Sequence, residues 1–152
     1  MKKDYTHIVF ILDASGSMGE TREPLRLQLN DYLAEFRKKP GQTVVDVYQY
    51  SDVVEHLVHS ADLSVFRGDV LESYHCSGHT ALYDAGCLAV DTLGEQFNQM
   101  PEDERPDRVF VVFIGDGVDN VSTRYKSQHL RDRVLHQTFI YSWQFLLGLT
   151  KF

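Results

Sequence analysis

A chain of 152 residues with 43% hydrophobic and 24% charged residues has the size and composition of a globular protein, and we predict one domain over residues 1–152. The formal net charge of -7 opposes binding to phosphate backbones and anionic lipid, so we expect neither nucleic acid nor a membrane as partner. The two cysteines, Cys76 and Cys87, are too few for a disulfide scaffold, and we expect a cytoplasmic protein.

The predicted elements alternate between strands and helices along the chain. Residues 8–12 form a wholly apolar run, typical of a strand buried on both faces, and apolar side chains then follow one helical face over residues 25–36. Residues 44–50 and 53–58 are separated by too little chain for a crossover helix. We therefore predict an antiparallel hairpin whose second strand lies at a sheet edge.

The second half of the chain repeats this alternation. A long helical pattern spans residues 82–97, a buried strand spans 109–114, a shorter helix runs from about 126 to 136, and a final apolar run spans 139–147. Parallel strands need crossovers, and helices supply them. The sequence therefore predicts an α/β fold with a doubly wound, mostly parallel sheet, one antiparallel edge strand and helices on both faces.

Polar residues concentrate where the predicted strands end. Asp13-Ala14-Ser15-Gly16-Ser17 follows the first strand, Asp116 follows the strand at 109–114, and Thr80 lies at the start of the second long helix. Ligands of open parallel sheets bind beyond the carboxyl ends of the strands. Carboxylate and hydroxyl oxygens suit a hard cation, so we predict a divalent metal site, with Mg2+ as the default ion and Mn2+ or Ca2+ as alternatives.

These motifs resemble the von Willebrand factor A domain, in a single-domain, bacterial- or phage-type form with a shortened C-terminus. In that family five residues form the metal-ion-dependent adhesion site, and they map onto Asp13, Ser15, Ser17, Thr80 and Asp116. The resemblance implies that the Ser15 and Ser17 hydroxyls bind the metal directly and that Thr80 does so in the ligand-competent state. Asp13 and Asp116 would act largely through water.

A metal held by few carboxylates keeps much of its positive charge, so an open coordination position can accept a Glu or Asp from a partner. We therefore expect a metal-dependent protein-binding module and not an enzyme. Members of the family usually continue with another helix after the last strand. Because the sequence ends at Phe152, we expect an uncovered part of one sheet face and consider self-association.

Two alternatives stay open at this point. The position of Asp13 is also that of the nucleophile in haloacid-dehalogenase-like phosphatases. Those enzymes usually require a second acid two residues later, where this chain has Ser15. The chain could instead be a structural assembly subunit with a stabilising metal. The group His75, Cys76 and His79 invites a zinc hypothesis, but surface histidines are the simpler interpretation.

Overall fold

The computed structural model describes residues 1–16, 18, 22–66, 69, 71–115 and 122–149. The strands are β1 (Lys2–Asp13), β2 (Gln42–Tyr50), β3 (Val54–Asp62), β4 (Pro106–Gly115) and β5 (Gln144–Leu149). The helices are α1 (Arg22–Lys38), α2 (Leu82–Asn98) and α3 (Ser127–Tyr141), with a short 3-10 helix at Glu102–Glu104. No helix within these ranges is long and apolar enough to cross a membrane.

The five strands form one mixed sheet in the order β3-β2-β1-β4-β5. β1 pairs in parallel with β2 and β4, and β4 pairs in parallel with β5. β2 and β3 form an antiparallel hairpin, as predicted, which places β3 at one edge. β5 lies at the other edge.

Alternate residues of the strands supply two separate hydrophobic cores. On one face, Ile8, Phe10 and Leu12 of β1 pack against Leu25, Leu29 and Leu33 of α1. On the other face, Val9 and Ile11 pack with Ala85, Ala89, Leu93 and Phe97 of α2. α3 lies beside α2, where Gly86 allows the Leu130 side chain to approach closely.

The predicted fold class, a doubly wound, mostly parallel sheet covered by helices on both faces, is corrected: the described residues form a mixed five-stranded sheet with three α-helices. On the α1 face, α1 shares its buried core with residues of β1 and β2. Among the described residues no second helix follows on that face. A groove between α1 and strands β4 and β5 is consequently open, lined in part by Tyr32, Val112, Ile114 and Leu146.

The last helix and strand also differ from the prediction. Residues 139–141 belong to the final apolar run, which is typical of a strand, but they form the last turn of α3, and the cap residue Ser142 that follows has the left-handed conformation. The apolar content of Phe139, Ile140 and Tyr141 suggested a strand, yet all three side chains are exposed. The hydrophobicity of these three residues therefore does not indicate that they are buried in the sheet.

Candidate functional site

The carboxyl end of β1 places a buried carboxylate at the predicted site. Asp13 is 0% exposed, and its Oδ1 accepts a hydrogen bond of 2.8 Å from the Ser15 N–H. The Ala14 N–H donates to the Tyr50 carbonyl at 2.8 Å, and the Tyr74 hydroxyl donates to the Asp13 carbonyl at 2.5 Å. Side chain and backbone of this turn are therefore both held in place.

Tyr74 remains a donor in this arrangement because its phenol stays neutral. Burial first, and then the neighbouring Cys76, raises the pKa of Tyr74 well above its ordinary value. The side chain is 1% exposed. The buried Tyr74 phenol therefore holds the turn through the Asp13 carbonyl and not through the Asp13 carboxylate.

The loop that presents Thr80 is joined directly to the Asp13 turn. The Ser77 N–H donates to the Ala14 carbonyl at 2.7 Å, and the Gly16 N–H donates to the Gly78 carbonyl at 3.2 Å. Thr80 itself is only 5% exposed, as is Ser15. Two segments more than 60 positions apart therefore meet at one point, and the structure brings Asp13, Ser15 and Thr80 to the same edge of the sheet.

Gly78 and Asp52 shape the second loop. Gly78 has a φ of +70°, and a Cβ there would lie 2.5 Å from Asp52 Oδ2. Asp52 Oδ1 also accepts the His79 N–H at 3.0 Å. The turn after β2 thus supports the loop that carries Thr80, a positioning role that the sequence analysis missed because nothing in the spacing connects Asp52 to this loop.

The end of β4 reaches the same place. A Cβ on Gly115 would lie 2.7 Å from Asp13 Cβ, 3.1 Å from Asp13 Oδ2 and 3.0 Å from the Tyr50 hydroxyl. Only glycine leaves room beside the Asp13 carboxylate here. Asp116 is the next residue in the sequence and lies outside the described residues.

Asp84 holds the segment that follows. Its carboxylate accepts three backbone N–H groups at 2.9 to 3.1 Å, and its own N–H donates to Ser122 Oγ at 3.1 Å; the three donors are Thr123, Arg124 and Tyr125. These contacts show that Asp84 steadies the loop leading to α3.

Of the five predicted metal ligands, three are described and meet at this edge, whereas Ser17 and Asp116 lie outside the described residues. Within the described part of the chain, no group of three or more His, Cys, Asp or Glu side chains could hold a metal ion. The donors that do converge are one carboxylate and two hydroxyl-bearing residues. Among the described residues, His75 and His79 belong to no such group.

A second polar cluster, which was not predicted from the sequence, joins strands β1, β2 and β3. Asp46 of β2 is 4% exposed, and each of its oxygens contacts a histidine, His7 Nε2 at 2.5 Å and His56 Nε2 at 2.7 Å. Ser60 adds its N–H at 2.9 Å and its hydroxyl at 3.2 Å. We call His7, Asp46, His56 and Ser60 the Asp46 cluster.

Burial alone would raise the pKa of Asp46, but hydrogen bonds from His56 and His7, the charge of His7 and the Ser60 N–H outweigh it. The pKa of this carboxyl is consequently well below its ordinary value. Burial, and to a lesser extent the negative charge of Asp46, raises the pKa of Tyr48 to about 12. Asp46 is therefore a permanent anion inside the fold at neutral pH.

No family model matches the sequence, and no curated protein matches it. Solved structures share the fold at low identity. A minor pilin from Streptococcus sanguinis (PilB, D319A mutant) has a TM-score of 0.59 at 12% identity over 75% of this chain and 30% of that chain. A proximal thread matrix protein from the mussel byssus has a TM-score of 0.64 at 17% identity over 95% of this chain and 36% of that chain.

A pilus tip protein from Porphyromonas gingivalis, Mfa5, has a TM-score of 0.50 at 10% identity over 75% of this chain and 20% of that chain. The chain therefore spans about a third or less of the length of the pilin and the tip protein. At identities this low the likeness establishes the fold alone. The fold is one that pilus and thread proteins contain as a part.

Two predictions are corrected by these comparisons. The predicted membership in the von Willebrand factor A family is contradicted, because the structural neighbours are pilus and thread proteins and no family model matches. The prediction of a metal-ion-dependent adhesion site is contradicted as well, since the described residues contain no recognised metal-binding group. The positions Asp13, Ser15, Ser17, Thr80 and Asp116 stay predictions as individual residues.

Proposed function

We propose that the chain is a protein-binding module whose contact edge is the cluster of loops around Asp13, and that a divalent cation, Mg2+ by default, anchors an acidic side chain of the partner there. The observation that carries the proposal is the junction of the Asp13 turn with the Thr80 loop through two backbone hydrogen bonds. It places a buried carboxylate and two hydroxyl-bearing residues at the carboxyl edge of three parallel strands.

The residues present fit a hard cation in their chemistry. Asp13, Ser15 and Thr80 offer side-chain oxygen donors only, and a side chain at position 115 would crowd Asp13 Oδ2, which the glycine there avoids. With a single carboxylate from the described residues, a bound divalent ion would retain positive charge and could attract a partner carboxylate. Ser17 and Asp116 are the predicted additional donors.

A second candidate is a structural subunit of a filament or thread, in which a metal only stabilises the loops. The similarity of the fold to parts of a pilin, a pilus tip protein and a byssal thread protein favours it. Both candidates are non-enzymatic. They differ in whether the loop edge captures a partner carboxylate.

Metal binding is tested first, by calorimetric titration of the purified chain with Mg2+ and with Mn2+. We expect saturable binding of one ion, and we expect Thr80→Ala and Ser15→Ala to weaken it by about tenfold or more. Thr138→Ala is the matched control, because it removes an exposed threonine hydroxyl from α3, an element that contributes none of the predicted ligands. Absence of binding to either ion would remove the anchor from the proposal.

Partner capture is tested with an array of short peptides containing Glu or Asp, each beside its Gln or Asn counterpart. We expect acidic peptides to be retained in Mg2+ and released by a chelator, and we expect Thr80→Ala to retain none. Equal retention with and without the chelator would contradict the proposal. Metal-induced stabilisation without peptide retention would support the structural subunit instead.

A further inference from the structure

β5 is an outer strand with one open side. It pairs in parallel with β4, from Phe110 opposite Gln144 to Gly115 opposite Leu149. Within the described ranges no other strand pairs with it. Its outer row of N–H and C=O groups is therefore a template for another strand.

Nothing in the sequence of β5 discourages such pairing. Gln144-Phe145-Leu146-Leu147-Gly148-Leu149 contains no charged residue and no proline. Leu146 is 46% exposed on the α1 face of the sheet, and Leu147 is 67% exposed on the opposite face. Natural edge strands usually carry a charge, a proline or a bulge to prevent association.

The apolar surface continues beyond the strand on both faces. α3 contacts α2 through Leu130 and through the ion pair of Arg133 with Asp91, while Leu135 and Phe139 lie on the opposite side of the helix. Leu135 is 46% exposed and Phe139 is 79% exposed. On the other face, Leu146 borders the open groove beside α1, which has a volume of about 890 Å³.

We propose that β5 pairs with β5 of a second copy of this chain, antiparallel, about a two-fold axis normal to the sheet. This arrangement keeps each face of the joined sheet continuous, so that Leu146 shares a face with its symmetry mate and Leu147 does likewise. The outward side of α3, with Leu135 and Phe139, meets its copy beside the axis. The result is one sheet of twice the width.

A second copy suits this edge because the strand is uncharged. A two-fold axis brings the residues nearest to it close to their own copies, so a charge in the middle of β5 would face a like charge. Stable interfaces bury roughly 1,200–2,000 Å² in total, more than a pair of six-residue strands supplies. The exposed apolar side chains of α3 and β5 provide the additional area.

The dimer has a geometric consequence for the loop edge. Because the paired strands are antiparallel, the carboxyl ends of β1 and β4 in one copy point toward one end of the joined sheet, and those of the second copy point toward the other end. Each dimer therefore presents two copies of the Asp13 turn facing away from each other. If the proposed function holds, the dimer is a bivalent connector, but the pairing itself does not depend on that function.

The test is the mass of the full chain in solution, measured by sedimentation and light scattering over a range of concentrations. We expect a concentration-dependent rise from the monomer mass of 17.5 kDa toward twice that value. Leu147→Lys places two like charges near the axis, and we expect it to raise the dimer dissociation constant by about tenfold or more. Leu27→Lys is the matched control, since it charges an exposed leucine on α1 that lies away from β5 and does not line the groove.

Thermal unfolding followed by circular dichroism confirms that both variants fold, and hydrogen exchange locates the interface. Residues 144–149 should gain amide protection as the concentration of the unmodified chain increases, and they should lose that gain in Leu147→Lys. A monomer at every concentration overturns the proposal. So does a dimer that is equally stable in Leu147→Lys and Leu27→Lys.

Discussion

The two edges of the sheet are built on opposite principles. At the β3 edge, the Asp46 cluster connects β1, β2 and β3 through a buried anion, and Glu55, His56, His59 and Asp62 make the strand polar. The backbone is irregular there, because the pairing register shifts between Val45 and Val47 and Ser60 has a φ of 44°. At the β5 edge, the strand is short, uncharged and apolar, and no bulge interrupts its pairing.

The difference indicates that the β3 edge is built for stability, whereas the β5 edge leaves a strand open to pairing. A bulged, polar strand stabilised by internal hydrogen bonds offers a poor template for a further strand, so β3 terminates the sheet. β5 has neither feature. The β3 edge depends most on Asp46, so we expect the largest effect from its substitution.

Asp46→Ala should be the most damaging substitution at the β3 edge. It leaves the buried His7 and the Ser60 N–H without their acceptor and opens a cavity between three strands. Loss of one partner from a buried polar cluster costs about 3 kcal/mol or more in the free energy of unfolding. Denaturant unfolding measures the change.

The matched control is Asp103→Ala, which removes an exposed carboxylate from the short 3-10 helix. Its effect should stay within about 0.5 kcal/mol. Equal effects of the two substitutions would show that the Asp46 cluster contributes nothing beyond the loss of one carboxylate.

Acid should weaken the same edge in a defined direction. The pKa of Asp46 is lowered in the folded protein, so its charge stabilises the fold fully above the ordinary carboxyl pKa of about 4 and progressively less as pH falls below that. The neighbours that face it are His7, His56 and Ser60. We expect the stability difference between the unmodified chain and Asp46→Asn to shrink between about pH 4 and pH 2.

The readout for this titration is thermal unfolding at each pH for both proteins. Asp46→Asn keeps the shape of the side chain, which separates charge from packing. A difference that stays constant down to pH 2 would contradict the assignment of a stabilising anion.

The sequence was informative about the elements whose periodicity is strong. The hairpin of β2 and β3 and the long helices α1 and α2 followed from apolar spacing. Helix α3 was predicted too short, because Phe139 to Tyr141 resembled the start of a strand. A run of exposed apolar residues has the same appearance in a sequence as a run of buried ones, so periodicity alone could not distinguish them.

The same limit applies to the functional residues. Loops that follow β1 and precede α2 were expected to meet, and backbone hydrogen bonds join them at Ala14 and Gly16. The supporting contacts of Asp52 and Tyr74 cross between distant segments and leave no local pattern. The Asp46 cluster was invisible for the same reason, since His7, Asp46 and His56 come together only through strand pairing.

The β5 side of the molecule should open before the β3 side. No residue of α3 is buried, whereas β2 is buried over most of its length and linked to β3 by the Asp46 cluster. Local opening free energies follow such differences in burial. In hydrogen exchange on dilute protein, amides of α3 should show opening free energies about 2 kcal/mol or more below those of β2. Comparable protection of both elements would contradict the contrast between the edges.

The smallest expected effect is a gain in stability at the junction of α3 and β5. Ser142 follows the last residue of α3 with a φ of 58°, a left-handed conformation in which its N–H donates to the Thr138 carbonyl and the Trp143 N–H donates to the Gln137 carbonyl. Glycine adopts this conformation without strain and makes the same backbone contacts. Ser142→Gly should therefore raise the free energy of unfolding by about 0.5–1 kcal/mol and slow amide exchange in the last turn of α3.

Ser142→Ala has the strain without the freedom of glycine and should not stabilise the protein. A gain in Ser142→Ala equal to that in Ser142→Gly would mean that the serine side chain, and not the backbone conformation, limits this end of the helix.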